Sequence, residues 1–386
     1  MHDRDPISET MQAAVAQGVF PGAVLLVRHA GRIRYHRAWG HISVGVDRQP
    51  VTVQTVYDLA SLTKPLATAT AIVCLVQDRR IRLDDTLAAI LPELQGSAVE
   101  RATVFHLLNH SAGLPAWRPF YERIAERNGR QPGFLGSDAA RHWILDLIHD
   151  ESPAYEIGTR SLYSDVGFML LGMMVERLTG QSLAGFCAER VYDSVAACPL
   201  YFAAWGGEKA INSSSRQTAF LVAPTEDDPW RGRMLRGEVH DENAYALGGV
   251  AGHAGLFGTA TAVAAITGLW LNGYLGKSGL LSPEWVRRCA SRQDTPGSSW
   301  GLGWDTPSPP SSSGRYFSAQ AFGHLGFTGT SIWIDPLCEL EVVLLSNRVH
   351  PTRRNTAIQN LRPLLHDAVY EQVMDRTGRK PVEAED

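Results

Sequence analysis

Ser61 and Lys64 stand three residues apart in the stretch YDLASLTKPLATATAIV, residues 57–73, where a lysine interrupts an otherwise apolar, alanine-rich run. Lysine is scarce in this chain: of 36 lysines and arginines, only Lys64, Lys209, Lys277 and Lys380 are lysine. Arginine keeps its proton under ordinary conditions, whereas a desolvated lysine can give one up. A hydroxyl is a poor nucleophile until a neighbouring base takes its proton, so a serine one turn from such a lysine is a candidate for activation. Pro65 lacks an N–H and is tolerated only in the first turn of a helix. That places the helix start near Ser61 and the serine at the positive end of the helix dipole. The same residues also fit a capping serine beside a lysine whose stem lies along apolar surface.

Two later stretches carry compatible chemistry. Tyr163-Ser164-Asp165 opens a strong helical pattern after the loop ESPAYEIGTRSL. A tyrosine at a helix mouth can share proton transfer with Lys64, although a core tyrosine with a satisfied hydroxyl fits the same pattern. In FGHLGFTGTSIWIDP, His324 and Gly326 precede a strand. Gly326 lets another backbone or a substrate come close, and the strand edge beyond it can offer an N–H to an oxyanion.

These residues need elements to hold them. Residues 6–17 read as a short amphipathic helix, and GAVLLVRHAGRIRYHRAWG reads as a β-hairpin around a His-Ala-Gly turn. Helical patterns dominate from about 61 to 290, most clearly at 61–80, 101–110, 137–149 and 164–179, the last stopped by Gly180. TSIWIDP and EVVLLSN are strand-like, and 355–375 reads as a closing helix. Strands at both ends with helices between predict an α/β (α+β) chain. Its sheet domain comes from 1–60 and 290–386, and a mostly helical domain, 61–289, is inserted into it; the two form one unit. Stretches 224–233 and 306–315 read as exposed loops.

Composition excludes several classes. The chain has 386 residues, 44% apolar and 20% charged, with a formal net charge of −4, as in an ordinary globular protein with no basic excess for nucleic acid. The longest apolar runs, such as FMLLGMMV, are too short to span a bilayer. The polar start MHDRDPISETMQ lacks an apolar signal core. Five scattered cysteines without CxxC spacing fit a reducing compartment. A cytoplasmic location is therefore expected.

The order Ser61-x-x-Lys64, Tyr163-x-Asp165, His324-x-Gly326 resembles the penicillin-recognising serine hydrolases, nearest class C β-lactamases, D,D-carboxypeptidases of that type and family VIII esterases. LLNHSAGLP at 107–115 and YSDVGFMLLGMMVERLTG at 163–180 look like supporting helices of that family, and the resemblance runs from about 12 to 370. It implies a β-lactamase/transpeptidase-like fold, an antiparallel sheet flanked by terminal helices. It makes Ser61 the acyl-accepting nucleophile, Lys64 with Tyr163 the proton-transfer pair, and the N–H groups of Ser61 and Phe327 the oxyanion hole. NRVHPTRRN and GEVHDENAYALGGVAGHAGLFG are similar to a sub-branch associated with cell-wall fragments.

The chain departs from the lactamase pattern at two motifs. Asp165 stands where the lactamases carry Asn; an ionised Asp cannot donate to a substrate carbonyl and favours a protonated Lys64. His324-Leu325-Gly326 stands where they carry Lys-Thr-Gly, which weakens the grip on a substrate carboxylate. An uncharged ester or amide is then the expected substrate, unless Arg348 or Arg353 replaces the lost cation. Among the remaining signals, Gly297-Ser298-Ser299-Trp300-Gly301 matches Gly-x-Ser-x-Gly but lacks the strand and helix that a nucleophile elbow needs. His240, Asp241 and His253 are spaced too widely for a helical metal-ligand pair. His253, among glycines, is expected to line the cleft, and His106 and His110 to be structural. The reading is a serine hydrolase working through an acyl-enzyme on a small ester or amide, without metal or cofactor. Its rivals are a peptidoglycan-fragment amidase or D,D-peptidase, and a non-catalytic binding protein that keeps the pocket.

Overall fold

A computed structural model describes residues 5–45, 48–205 and 220–375. Lys209 and Lys380 lie outside the described residues. Five antiparallel strands form the main sheet, in the spatial order Arg32–Gly40, Gly22–His29, Leu340–Ser346, Ser331–Asp335, Phe322–Leu325. The two ends of the chain meet at its centre, where Leu25 pairs with Leu344 and Val27 with Val342. The hairpin turns through Ala30 and Gly31, both at positive φ.

The central strands are apolar on both faces because both faces are covered. Side chains alternate across a strand. Ala23, Leu25, Val27, Val342 and Leu344 therefore share one core with the terminal helices Pro6–Ala16 and Ile358–Asp375. Val24, Leu26, Val343 and Leu345 face the other way, into a larger core with the helices of the middle of the chain. The helix Ala260–Tyr274 packs directly on the strands Gly22–His29 and Leu340–Ser346. The layer on the sheet thus draws on residues inside the 61–289 span.

The expected helices at 137–149 and 164–179 are Asp138–His149 and Asp165–Thr179, with Gly180 left-handed at the end of the second. The 101–110 pattern gives a shorter helix, Val104–Leu108. The 224–233 stretch contributes Asp227–Asp228 to a two-residue β-ladder with Arg233–Met234. The segment expected as one helix from 61 is subdivided: a 3₁₀ turn at Ala60–Leu62, a π-helical run at Lys64–Ala69, then α-helix at Thr70–Gln77. Wider π-turns concentrate at functional sites. Here the Thr70 hydroxyl donates to the Pro65 carbonyl at 2.7 Å. Ala60–Gln77 is long and apolar enough to cross a membrane, but 89% of it is buried inside the protein.

Candidate active site

The residue before Ser61 sets the site. Ala60 has φ of 47°, a left-handed conformation that a non-glycine residue adopts only when its surroundings enforce it. Asp58 does the enforcing. One carboxylate oxygen accepts from the Ala60 N–H at 2.8 Å and the other from the His240 N–H at 2.7 Å. Asp58 is itself buried, which raises its pKa. The Thr63 hydroxyl closes the turn onto the Ala60 carbonyl at 2.7 Å.

Lys64 lies fully inside the protein and its ammonium makes three contacts: Asp165 Oδ1 at 2.6 Å, Ser61 Oγ at 3.0 Å and the His253 carbonyl at 3.2 Å. An ammonium has three donors and no acceptor, so this set uses them all. Burial is the strongest influence on Lys64 and pulls its pKa down, but Asp165 and then Tyr163 push it up, and the net is a rise. Of the two states the sequence allowed, the carboxylate at Asp165 selects the protonated Lys64 that an ionised Asp there implied. Tyr163 completes the group, with its ring 4.8 Å from Lys64 Nζ. Burial raises its pKa; Lys64 pulls down and Asp165 pushes up, and the phenol stays above the ordinary tyrosine value.

The helix mouth that carries Tyr163 and Asp165 is fastened by LLNHSAGLP. The Ser164 hydroxyl donates to the Pro115 carbonyl at 2.7 Å and accepts from Gly167 N–H at 3.2 Å, while His110 Nδ1 accepts from Ser164 N–H at 3.1 Å. His110 is a packing residue of the site, its ring 4.8 Å from Tyr163 and 4.6 Å from Trp300.

The third motif closes over Ser61 from the sheet edge. Thr328 and Thr330 donate through their hydroxyls to the Asp58 and Leu59 carbonyls at 2.7 and 3.1 Å. Gly326 is required by this approach: a Cβ there would stand 1.9 Å from Thr330 Oγ1 and 2.7 Å from the Leu59 carbonyl oxygen. No acceptor among the described residues takes the N–H of Ser61 or of Phe327. His324 is buried, with Nδ1 donating to the Leu325 carbonyl at 2.9 Å. Burial, then the Lys64 charge, lowers its pKa to about 3. His324 is neutral and does not replace a cation.

Two cavities meet at Ser61. One, of about 410 Å³, is lined by Tyr163, Trp300, His324, Phe327, Arg348 and Arg362 among others. The other, of about 400 Å³, is lined by Trp117, Tyr163, Asp165, Asp241, Glu242 and His253 among others. Ser61, Tyr163, Phe327 and Arg353 border both. His253 lines the second cavity as expected, and its Nε2 donates to Asp241 Oδ1 at 2.8 Å. Arg348 reaches the first cavity, but Nε and Nη1 donate to the carbonyls of Phe327, Arg353 and Asn355 at 2.7–2.8 Å. Most of its hydrogen-bonding capacity is taken by the loop it crosses. Arg353 is paired with Glu226 and Glu242.

Sequence reasoning missed Asp58, whose role depends on a left-handed neighbour. It also passed over Trp300. That residue lies inside the Gly-x-Ser-x-Gly match, but the match's serine is engaged elsewhere, with Ser299 Oγ donating to Asp305 Oδ1 at 2.6 Å. What the motif contributes is the tryptophan, its ring 5.3 Å from Tyr163 and 5.4 Å from His324.

Residues 7–365 match the Beta-lactamase family, and the chain belongs to it. A putative D-alanyl-D-alanine carboxypeptidase of Escherichia coli K12 is 33% identical over 355 residues, covering 86% of this chain and 79% of the relative. The N-acetylmuramyl-L-alanine amidase of Bacillus subtilis 168 is 31% identical over 363 residues, covering 89% and 80%. Among solved structures, EstCE1, a hydrolase with promiscuous acyltransferase activity, shares the fold with a TM-score of 0.71 at 21% identity, covering 95% of this chain and 97% of that one. The protein is a serine hydrolase of the β-lactamase fold.

Proposed function

We propose that the chain cleaves a small amide or ester through an acyl-enzyme on Ser61. The observation that carries the reading is the Ser61–Lys64–Tyr163–Asp165 cluster at the junction of two cavities, one for each side of the scissile bond. Lys64 donates to Ser61, so it does not take the serine proton in this state. Tyr163 is a neutral phenol and works as a relay. As Ser61 Oγ attacks the carbonyl carbon, its proton passes to Tyr163 while the Tyr163 proton passes to the departing nitrogen or oxygen. Water reverses the relay to release the acid. The Lys64 charge favours the electron-rich transition state, and the N–H groups of Ser61 and Phe327 take the oxyanion. Asp165, His253 and His324 shape the walls, with Arg348 and Gly326 holding the Phe327 loop.

A cell-wall fragment is the favoured natural substrate class. Relatives above 30% identity carry the names putative D-alanyl-D-alanine carboxypeptidase and N-acetylmuramyl-L-alanine amidase. The second cavity also pairs an exposed Trp117 with carboxylates, a surface that suits a hydroxylated ring. The test is a panel of a muramoyl-peptide, a peptide ending in D-alanyl-D-alanine, p-nitrophenyl esters and a cephalosporin, compared by kcat/KM. Highest turnover on the muramoyl amide or an aryl ester is expected. Efficient cephalosporin turnover would contradict the neutral His324 reading.

A further inference from the structure

Behind the Phe327 loop lies a buried cation that the proposed mechanism does not use. Arg362, on the closing helix Ile358–Asp375, is 5% exposed. Its Nη2 donates to the Gly326 carbonyl at 3.2 Å and the Thr330 carbonyl at 2.8 Å. No carboxylate among the described residues pairs with it. Burial and the neighbouring Arg348 charge lower its pKa to about 10, so it remains a cation at neutral pH. A buried charge with only neutral partners is costly.

The loop does not need this charge to keep its shape. Gly326 N–H donates to the Thr330 carbonyl at 2.8 Å, and Gly329 N–H to the Gly326 carbonyl at 3.1 Å. Two threonine hydroxyls tie the loop to Asp58 and Leu59. The position of the guanidinium is informative because the Gly326 C=O and the Phe327 N–H belong to one peptide group. A cation on the carbonyl draws electron density from the amide and makes its N–H a stronger donor. Arg348 bonds the next carbonyl, that of Phe327, at 2.8 Å.

We propose that Arg362 is a positioning residue for catalysis: it fixes and polarises the Gly326–Phe327 peptide, and its uncompensated charge is offset by the oxyanion that forms at the Phe327 N–H. The proposal rests on the reading of Ser61 as nucleophile and Phe327 N–H as oxyanion donor. Its effect belongs to the transition state and not to substrate binding, which separates it from a merely structural role.

The test uses R362Q and R362K in the full chain, with phenylboronic acid as probe, since its adduct on a serine is tetrahedral and anionic. Loss of one oxyanion donor costs about 10²–10³ in kcat, and a residue acting through such a donor should cost part of that. R362Q is expected to bind the boronate about 10-fold more weakly, with kcat for a p-nitrophenyl ester falling in parallel and KM nearly unchanged. R362K, which keeps the charge but carries it on a shorter side chain with a different head, should lose roughly 3-fold in both. Folding is checked by circular dichroism and melting, and either variant decides if the other fails to fold. A folded variant with wild-type boronate affinity and kcat, or with the loss confined to KM, overturns the proposal. If the wild type forms no boronate adduct at Ser61, the underlying nucleophile reading fails first and takes the proposal with it.

Discussion

Replacing Asp165 by asparagine removes the charge that keeps Lys64 protonated while leaving an acceptor oxygen in place. The pair is close, 2.6 Å, with the lysine side chain 0% and the aspartate 20% exposed. Breaking a buried pair by removing one partner costs about 3–5 kcal/mol. The retained acceptor and partial exposure reduce that to about 2–3 kcal/mol. At about 2.1 cal/mol/K of unfolding entropy per residue over 386 residues, D165N should melt roughly 2–4 °C below wild type at pH 7. The pH dependence carries the sharper information. In the wild type the folded pKa of Lys64 is raised, so the pair's contribution is fully present below the ordinary lysine value and is lost as pH rises through the folded one. In D165N burial acts without the opposing carboxylate, and the Lys64 pKa falls below the ordinary value. The penalty is then complete at neutral pH and relieved as pH climbs toward the lysine range. The assay is a melting series from pH 6 to pH 10 on both proteins, together with kcat/KM for one aryl ester. D165N should show a new ionisation on the acid side of the ordinary lysine range. Equal melting temperatures at pH 7, or a gap that widens with alkalinity, would mean that Asp165 does not hold Lys64 protonated.

Further outcomes follow from single contacts. Ser299→Ala should keep most of kcat, since Ser299 is held by Asp305 and not by the Lys64 cluster; a loss like that of Ser61→Ala would reassign the nucleophile. Gly326→Ala should reduce kcat by about 10²-fold or more, because the added Cβ meets Thr330 Oγ1 at 1.9 Å and must displace the loop that carries the oxyanion N–H; a folded variant with wild-type kcat would count against that loop. His324 titrates near 3, so His324→Asn should leave any ionisation of kcat/KM between pH 5 and pH 7 where it stands in wild type. Lys64→Arg should retain less than about a hundredth of kcat, because a planar fork cannot serve three acceptors arranged around one nitrogen.

Much of this site was legible in the chain because its parts are local. Pro65 marks the entry to the nucleophile helix, Gly180 ends the helix that begins at Asp165, and the runs GAVLLVRH and EVVLLS read as the strands they form. The protonation state of Lys64 was only half legible. Scarcity of lysine and an apolar surround pointed to a lost proton and Asp165 to a kept one; deciding between them needs the 2.6 Å contact that the fold makes across 101 residues. Arg348 illustrates a second limit: a cation near the end of the last strand suggested a free anion anchor, yet backbone carbonyls take its donors. Asp58 and Arg362 act on backbone groups, and a side chain that bonds the main chain of a distant loop leaves no spacing signature.

The proposed mechanism turns on Ser61 as the residue that carries the acyl group. Incubation with a fluorophosphonate, digestion and mass spectrometry would locate the adduct directly. A single modification is expected on the peptide containing Ser61, absent from Ser61→Ala and strongly slowed in Lys64→Met. An adduct on the peptide containing Ser299, or none on a protein that still hydrolyses an aryl ester, would contradict it.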